Sequence, residues 1–458
     1  GGFAQLALTD STISGNSAGS GGGISSDTGA IALLRSTISG NTAGSGGGVL
    51  VGYAPLTLTD AHVTGNTATS GNGGGILGGF DAAVLANNTQ ITGNAAPNGN
   101  GGGIWGFGFD FHGSVILNGS TVANNSAILG GGISTEGPLT VTASTIAQNS
   151  AVSGGGVHLF GGFAQLALTD STISGNSAGS GGGISSTNNT SVTVSNSTIA
   201  ANTAVSNGGG ILSTGALRAV STIVAGNKVG SSPNDVAGSF AAGSTNNLVQ
   251  DAAHSGGLTN GVNGNIIGVD PRLAPLAFNG GPTQTHALLR NSPAINKGIN
   301  PLGLHTDQRG PGYARTFGGQ TDIGAYEFAL GTAGNPSRVT ALPVGHVPPP
   351  PSVENLSTPV DPRLAPASDL GPVFWQYSSA RTADSANRSQ SPRVEATPML
   401  HEANWRVEAS TAIGDFKRSG REDAMSNTWL FTQDAGTNGV SMAHEPGGTT
   451  ARGWRGAW

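Results

Sequence analysis

Apolar side chains recur at every second position through the first half of the chain, in short runs such as LTLT at 56–59 and LTVT at 139–142. A period of two with Leu, Val and Ile separated by Thr predicts half-buried strands. No stretch in this region carries the 3.6-residue period of a helix. Each run ends in turn residues. One is an Asn closing a STISGN-like segment, and another is a glycine triplet followed by a β-branched residue: Ile24, Val49, Ile76, Ile104, Ile133, Val157, Ile184 and Ile211. A β-branched side chain suits an inward face of a pleated strand, and glycine permits the tight corner before it.

The pattern repeats. Residues 1–26, GGFAQLALTDSTISGNSAGSGGGISS, return unchanged at 161–186, with weaker copies between and after. The Asn of each copy falls at Asn16, Asn41, Asn66, Asn94, Asn125, Asn149, Asn176, Asn202 and Asn227, at spacings of 24 to 31 residues. Such periods mark solenoids. Leucine-rich and helical repeats share the length but need helical or longer extended returns that these copies lack. What remains is an all-β coil stacked on itself, with parallel strands about 4.8 Å apart and nine coils rising roughly 40 Å. The repeated Asn is expected at a corner, where stacked side-chain amides hydrogen-bond from coil to coil.

Composition agrees with a tightly turned coil. The chain has 78 Gly in 458 residues, more than twice ordinary usage and without a collagen period. A net charge of −6, from 19 basic and 25 acidic residues, offers no basic field for phosphate, so no nucleic-acid partner is expected. No apolar run is long enough for a transmembrane segment. There is no Cys, which excludes disulfides and thiolate metal sites without fixing the compartment. The opening GGFAQLALTD reappears inside the array, so the sequence reads as starting within a repeat, and the lack of a signal peptide does not argue for a cytoplasmic home.

The alternation of Ile-x-x-Asn with Gly-Gly-x-Ile/Val over residues 1–268 resembles the right-handed parallel β-helix repeats of bacterial surface proteins, among them polymorphic outer-membrane proteins and pectin-lyase-like solenoids. The resemblance implies a right-handed coil, a fold that hosts lyases, hydrolases, adhesins and stalks alike. Residues 269–328 carry VDPRLAPLAFNGGPTQTHALLRNSPAINKG, TDQRG and TDIGAYEF. They are similar to the choice-of-anchor Q domain, which implies export and display at a bacterial cell surface and reads as an irregular C-terminal cap. Residues 329–458, with VPPPPSV, many Ser and Trp375, Trp405, Trp429, Trp454 and Trp458, are expected to be a largely disordered tail.

Three sets of side chains are candidates for chemistry. The aromatic residues of the solenoid all lie between a glycine triplet and the next strand: Phe3, Tyr53, Phe80, Trp105, Phe107, Phe109, Phe111, Phe160 and Phe163. That segment varies most in length, so it faces solvent, and insertions in a solenoid gather on one side. In WGFGFDFHG, at 105–113, a strand would set Trp105, Phe107, Phe109 and Phe111 on one face, suited to stacking on the sugars of a polysaccharide or cell-surface glycan, with Asp110 and His112 opposite. The same rings would equally cover the flank or seal a contact between copies. Second, copy alignment puts Asp10, Arg35 and Asp60 in one column, which reads first as a solvated salt-bridge ladder and second as the active site of a lyase. No catalytic residue, metal site or cofactor is assigned; Ca2+ enters only under that polysaccharide-lyase alternative, which requires clustered carboxylates. Third, Asp307, Arg309, Asp322 and Glu327, with His286 or His305 as a base, read as an ion-pair network or a reactive cluster. The favoured reading is a non-catalytic, secreted or surface-displayed β-helix protein, adhesin-like or structural, with glycan binding as one form of that role.

Overall fold

The computed structural model describes residues 5–107 and 113–329, together with the backbone of four strands beyond them. The described residues from Leu6 to Ile267 form a right-handed parallel β-helix of about nine coils. Each coil contributes one short strand to each of four parallel sheets, here A to D. In coil 4 these are Ala83–Asn87, Gln90–Thr92, Ala95–Asn100 and Ile104–Gly106. Sheets A and D have nine strands, whereas sheet B has eleven, ending with Leu248–Val249 and Ile266–Ile267. The solenoid therefore tapers along one sheet rather than stopping at a complete coil.

Register follows from the period of two. Ile76, Ile104 and Ile133 pair in line on sheet D, and each is fully buried, as are Leu56 and Leu58 of sheet A and Val63 of sheet B. A slip of one residue would turn every one of them outward. The corners explain the glycine triplet. Gly101 takes a φ of 65°, which an L side chain rarely adopts. A Cβ on Gly102 would strike the carbonyl oxygens of Gly131 and Ser126, so the backbone of the next coil lies where a side chain would stand.

Two polar ladders run along the interior corners. At the turn from sheet B to sheet C, the Oδ1 of each Asn accepts from both the backbone N–H and the side-chain amide of the Asn one coil earlier. Asn125 donates to Asn149 Oδ1 from N and Nδ2, each at 2.9 Å, and Asn149 repeats this onto Asn176. Beyond the last coil Asn227 donates both groups to Asp235 Oδ1, so a carboxylate closes the column. A second ladder, of hydroxyls, occupies the turn from sheet A to sheet B. Thr89 N donates to Ser120 Oγ, Ser120 N to Ser144 Oγ, and Ser144 N to Ser171 Oγ. Backbone groups that a flattened coil cannot pair within its strands are thereby satisfied.

Residues 269–328 run back along the outer face of sheet B on coils 6 to 9. Thr145 Oγ1 donates to Gln284 O, Thr172 Oγ1 to Gln308 Oε1, and Asn196 Nδ2 and Ser221 Oγ both to Ile299 O. Thr145, Thr172 and Thr198 are accordingly buried, whereas His62 and Gln90, at the same position on coils 3 and 4, are exposed. A small apolar cluster of Ile223, Leu248, Leu288, Ala294 and Ile323 joins the segment to the solenoid. The described residues up to Ala329 form one compact unit. In the other, Val373–Ser379, Asn427–Gln433, Val440–Pro446 and Trp454–Ala457 make a four-stranded antiparallel sheet. Apart from one 3-10 turn at Val262–Gly264 there is no helix among the described residues, and none is long and apolar enough to cross a membrane.

Candidate ligand-binding flank

The rings singled out by the sequence sit where sheet D turns back to sheet A. The turn residues extend the stacking of the strands before them: Tyr53 N donates to Asp27 O, Gly79 N to Val51 O, and Phe107 N to Gly78 O. Side chains at that turn on consecutive coils are thus brought together although they lie 27 residues apart, as Tyr53, Phe80 and Phe107 do. The Tyr53 and Phe80 rings stack at 5.7 Å and 12°. Phe80 meets Phe107 edge-on at 4.7 Å, and Phe107 stacks on Trp105 at 5.1 Å. Tyr53 and Phe80 are 55% and 47% exposed, while Trp105 and Phe107 are half-buried. Phe109 and Phe111, with Asp110 and His112, lie outside the described residues, as does Phe3. Phe160 stands on coil 6 with its ring 5.3 Å from the imidazole of His158.

Sequence reading missed what lies beside these rings. Trp105 is the outward residue of its strand, and register aligns it with Ser134 of coil 5 and His158 of coil 6. Trp105 Nε1, Ser134 Oγ and His158 Nδ1 are all buried and without a hydrogen-bond partner. Burial lowers the His158 pKa to about 4, so its imidazole is neutral. Glu136 occupies the turn on coil 5 between the Phe107 and Phe160 coils, and burial pushes its carboxyl up. The signal was present in the aligned triplets IWG, IST and VHL, whose middle letters share one outward column.

The other two candidate sets use their charges on one another. Arg35 holds Asp10 bidentately, with Nε 2.7 Å from Oδ1 and Nη2 2.8 Å from Oδ2, on an exposed corner. The hydrogen bond from Arg35 keeps the Asp10 carboxyl below its usual range, and Asp60 follows on coil 3 at the same left-handed turn position. The cluster in residues 269–328 is closed to solvent and has a centre the sequence did not reveal, the fully buried Arg315. Its Nη1 donates to Asp170 Oδ1 on coil 7 and to Gly324 O, and its Nη2 donates to Glu327 Oε2. Arg309 grips Asp307 and donates to Glu327 O, while its guanidinium stacks between the rings of Tyr313 and Tyr326. Asp322 accepts from the backbone N–H groups of Asn296 and Phe328. Burial raises both Asp170 and Glu327 to about 7 against the pull of Arg315.

His286 is also buried, with Nδ1 2.7 Å from Ala274 O and Nε2 2.8 Å from Ser174 Oγ. The carbonyl can only accept, so the proton sits on Nδ1 and the Ser174 hydroxyl donates to Nε2. This is the hydrogen bond of an activated serine, but Ser174 is 2% exposed. A cleft of about 280 Å3 between coils 8 and 9 and the returning segment, lined by Gln250, Asp270, Pro275 and His286 among others, reaches the imidazole. His305 contributes its backbone carbonyl to Arg315 N. Among the described residues no three His, Asp or Glu side chains gather as a metal site would require. The arrangement best equipped to meet a partner is therefore the flank of rings. No protein-family model matches the chain, and neither does any curated protein or solved structure searched.

Proposed function

We propose that this chain is a non-catalytic, exported or cell-surface β-helix protein, adhesin-like in type, whose aromatic flank binds polysaccharide. One observation carries this reading: side chains scattered over Tyr53 to Phe107 converge on one line at the corner where coil length varies most. Sugar rings stack on such edges and faces, and an elongated partner meets several in succession. The likeness of residues 269–328 to the choice-of-anchor Q domain supports display at a bacterial surface.

Replacing Tyr53, Phe80 and Trp105 together by Ala tests the flank. With each contact contributing about 0.5–1.5 kcal/mol, binding to a polysaccharide panel should weaken at least about tenfold while the β-sheet circular dichroism persists. Unchanged binding removes the flank from consideration, and loss of the folded signal makes the rings core. A change in oligomeric state would instead show that they seal a contact between copies. The lyase alternative has the Asp10–Arg35 pair as its best-placed acid and base, yet both carboxylate oxygens are already engaged by the guanidinium. Unsaturated products absorbing in the ultraviolet, after incubation with uronic-acid polysaccharides and Ca2+, would revive it.

A further inference from the structure

Charge along the solenoid is one-sided. Residues 36–217 contain five acids, Asp60, Asp81, Asp110, Glu136 and Asp170, and not one Lys or Arg. Asp60 belongs to the corner column beside Arg35, Asp170 is held by Arg315, and Asp110 lies outside the described residues. That leaves Asp81 and Glu136, joined on coil 1 by Asp27, at the turn from sheet D to sheet A. Asp27 follows the strand Ile24–Ser26, Asp81 follows Phe80, and Glu136 follows the strand Ile133–Thr135. The three carboxylates thus stand on coils 1, 3 and 5, about 10 Å apart in steps of two coils. The rings of the same flank stand on coils 2, 3, 4 and 6. Asp27 and Asp81 are exposed and Glu136 is half-buried, and none of the three makes an ion pair among the described residues.

A second, independent feature marks the same place. Ser134 and His158 are 0% and 5% exposed, yet Ser134 Oγ and His158 Nδ1 lack partners, as does the indole N–H of Trp105 one coil earlier. A buried polar group left unpaired costs roughly 1–3 kcal/mol, so such groups are rare in folded chains, and three in one column are rarer still. On the strands beside the rings, His158 lies against Phe160 and Trp105 against Phe107, and both Trp105 and Phe160 retain a solvent-facing part.

We propose that the flank selects its polysaccharide by charge, taking a polymer that bears primary amines and rejecting one that bears carboxylates, sulfates or phosphates. The inference rests on the reading of the flank as a polysaccharide site and names the substrate class for it. Sugar rings lie against Tyr53 and its neighbours on the flank, and ammonium groups meet Asp27, Asp81 and Glu136. A flat polysaccharide ribbon turns equivalent groups to one side at every second sugar, which suits carboxylates on alternate coils. An anionic polymer would instead meet like charge along the whole flank, with no Lys or Arg from 36 to 217 to receive it.

The test uses the full chain and three oligosaccharides of equal length, made of glucosamine, N-acetylglucosamine and galacturonic acid, with affinities measured by calorimetry. The glucosamine oligomer should bind tightest and weaken about tenfold when salt rises from about 20 mM to about 300 mM, because exposed ion pairs are screened. The D27N/D81N/E136Q variant should lose both the preference and the salt dependence. D81N alone should lose part of each, which guards against misfolding of the triple variant. Galacturonate binding as tightly as glucosamine, or a triple variant that still prefers glucosamine, would overturn charge selection and leave the flank standing. Binding of none of the three would remove the polysaccharide reading itself.

Discussion

At the scale of single residues, most buried polar groups of the solenoid are completed by a neighbouring coil, and among those left unpaired His158 is one whose cost can be measured. Its folded pKa of about 4 lies below the ordinary 6.5, because burial disfavours the charged ring and nothing compensates it. The unfolded chain therefore takes up a proton between pH 6.5 and 4 that the folded chain refuses. His158 thus contributes stability that is fully present above about 6.5 and is lost as pH falls toward 4. For a shift of this size the loss is roughly 2–3 kcal/mol between pH 7 and pH 4.5. Exchanging His158 for Ser, the residue at 134 and 185 in the same column, should remove that increment, so that stability curves of the two proteins converge in acid. Parallel curves would mean that the imidazole is solvated. Arg315 shows the opposite solution to burial, a cation kept charged by Asp170 and Glu327.

At the scale of the element, the chain contains its own control, because residues 1–26 and 161–186 are identical yet sit in different surroundings. Both copies form the same short strands, Thr12–Ser14 and Thr172–Ser174 among them, so the coil is encoded locally. Burial is not: Ile13 is half-buried where Ile173 is fully buried, and Asp10 pairs with Arg35 in solvent where Asp170 pairs with Arg315 inside. Period, strand type and the glycine corners were legible because they depend on residues adjacent in sequence. The role of Arg315 was not, since the residues it joins, Asp170 and Glu327, reach it only after residues 269–328 have folded back. Nor was the hydroxyl ladder, because Ser beside a turn carries no signal of its own. Asn16 and Asn176 turn the comparison into a test. Asn176 donates to Asn202 Oδ1 and Ile146 O and its Oδ1 accepts from both groups of Asn149, whereas Asn16 is exposed and its side chain takes part in the ladder only as a donor to Asn41. Asn176→Ala should cost about 3 kcal/mol by leaving several buried partners unmet, and Asn16→Ala less than about 1. Equal losses in thermal melts would show that the ladder does not stabilise the interior.

At the scale of the whole molecule, the question is where the folded body that carries the flank ends. Sequence composition divides the chain at 268, where the repeats cease, but the contacts cross that line. The outer face of sheet B on coils 6 to 9 is covered by residues 269–328 through Gln284, Ile299, Gln308 and Arg315, and Ile223 and Leu248 share a cluster with Leu288 and Ile323. A piece ending at 335 keeps all of these, whereas one ending at 268 returns buried Leu and Ile surface to water. Burying one such side chain is worth about 1.5–3 kcal/mol, so the shorter piece should be less stable by on the order of 5 kcal/mol. Asp170, freed of Arg315 and solvated again, should in that piece titrate as an ordinary carboxylate rather than near 7. The flank itself lies on coils 1 to 6 and makes none of the contacts named, so polysaccharide binding should survive in both pieces. The measurement is a pair of melting curves, with binding assayed below both midpoints. If the two pieces melt together, the returning segment is decoration on a solenoid that stands without it. If binding disappears with residues 269–335, the flank is not where the polymer is held.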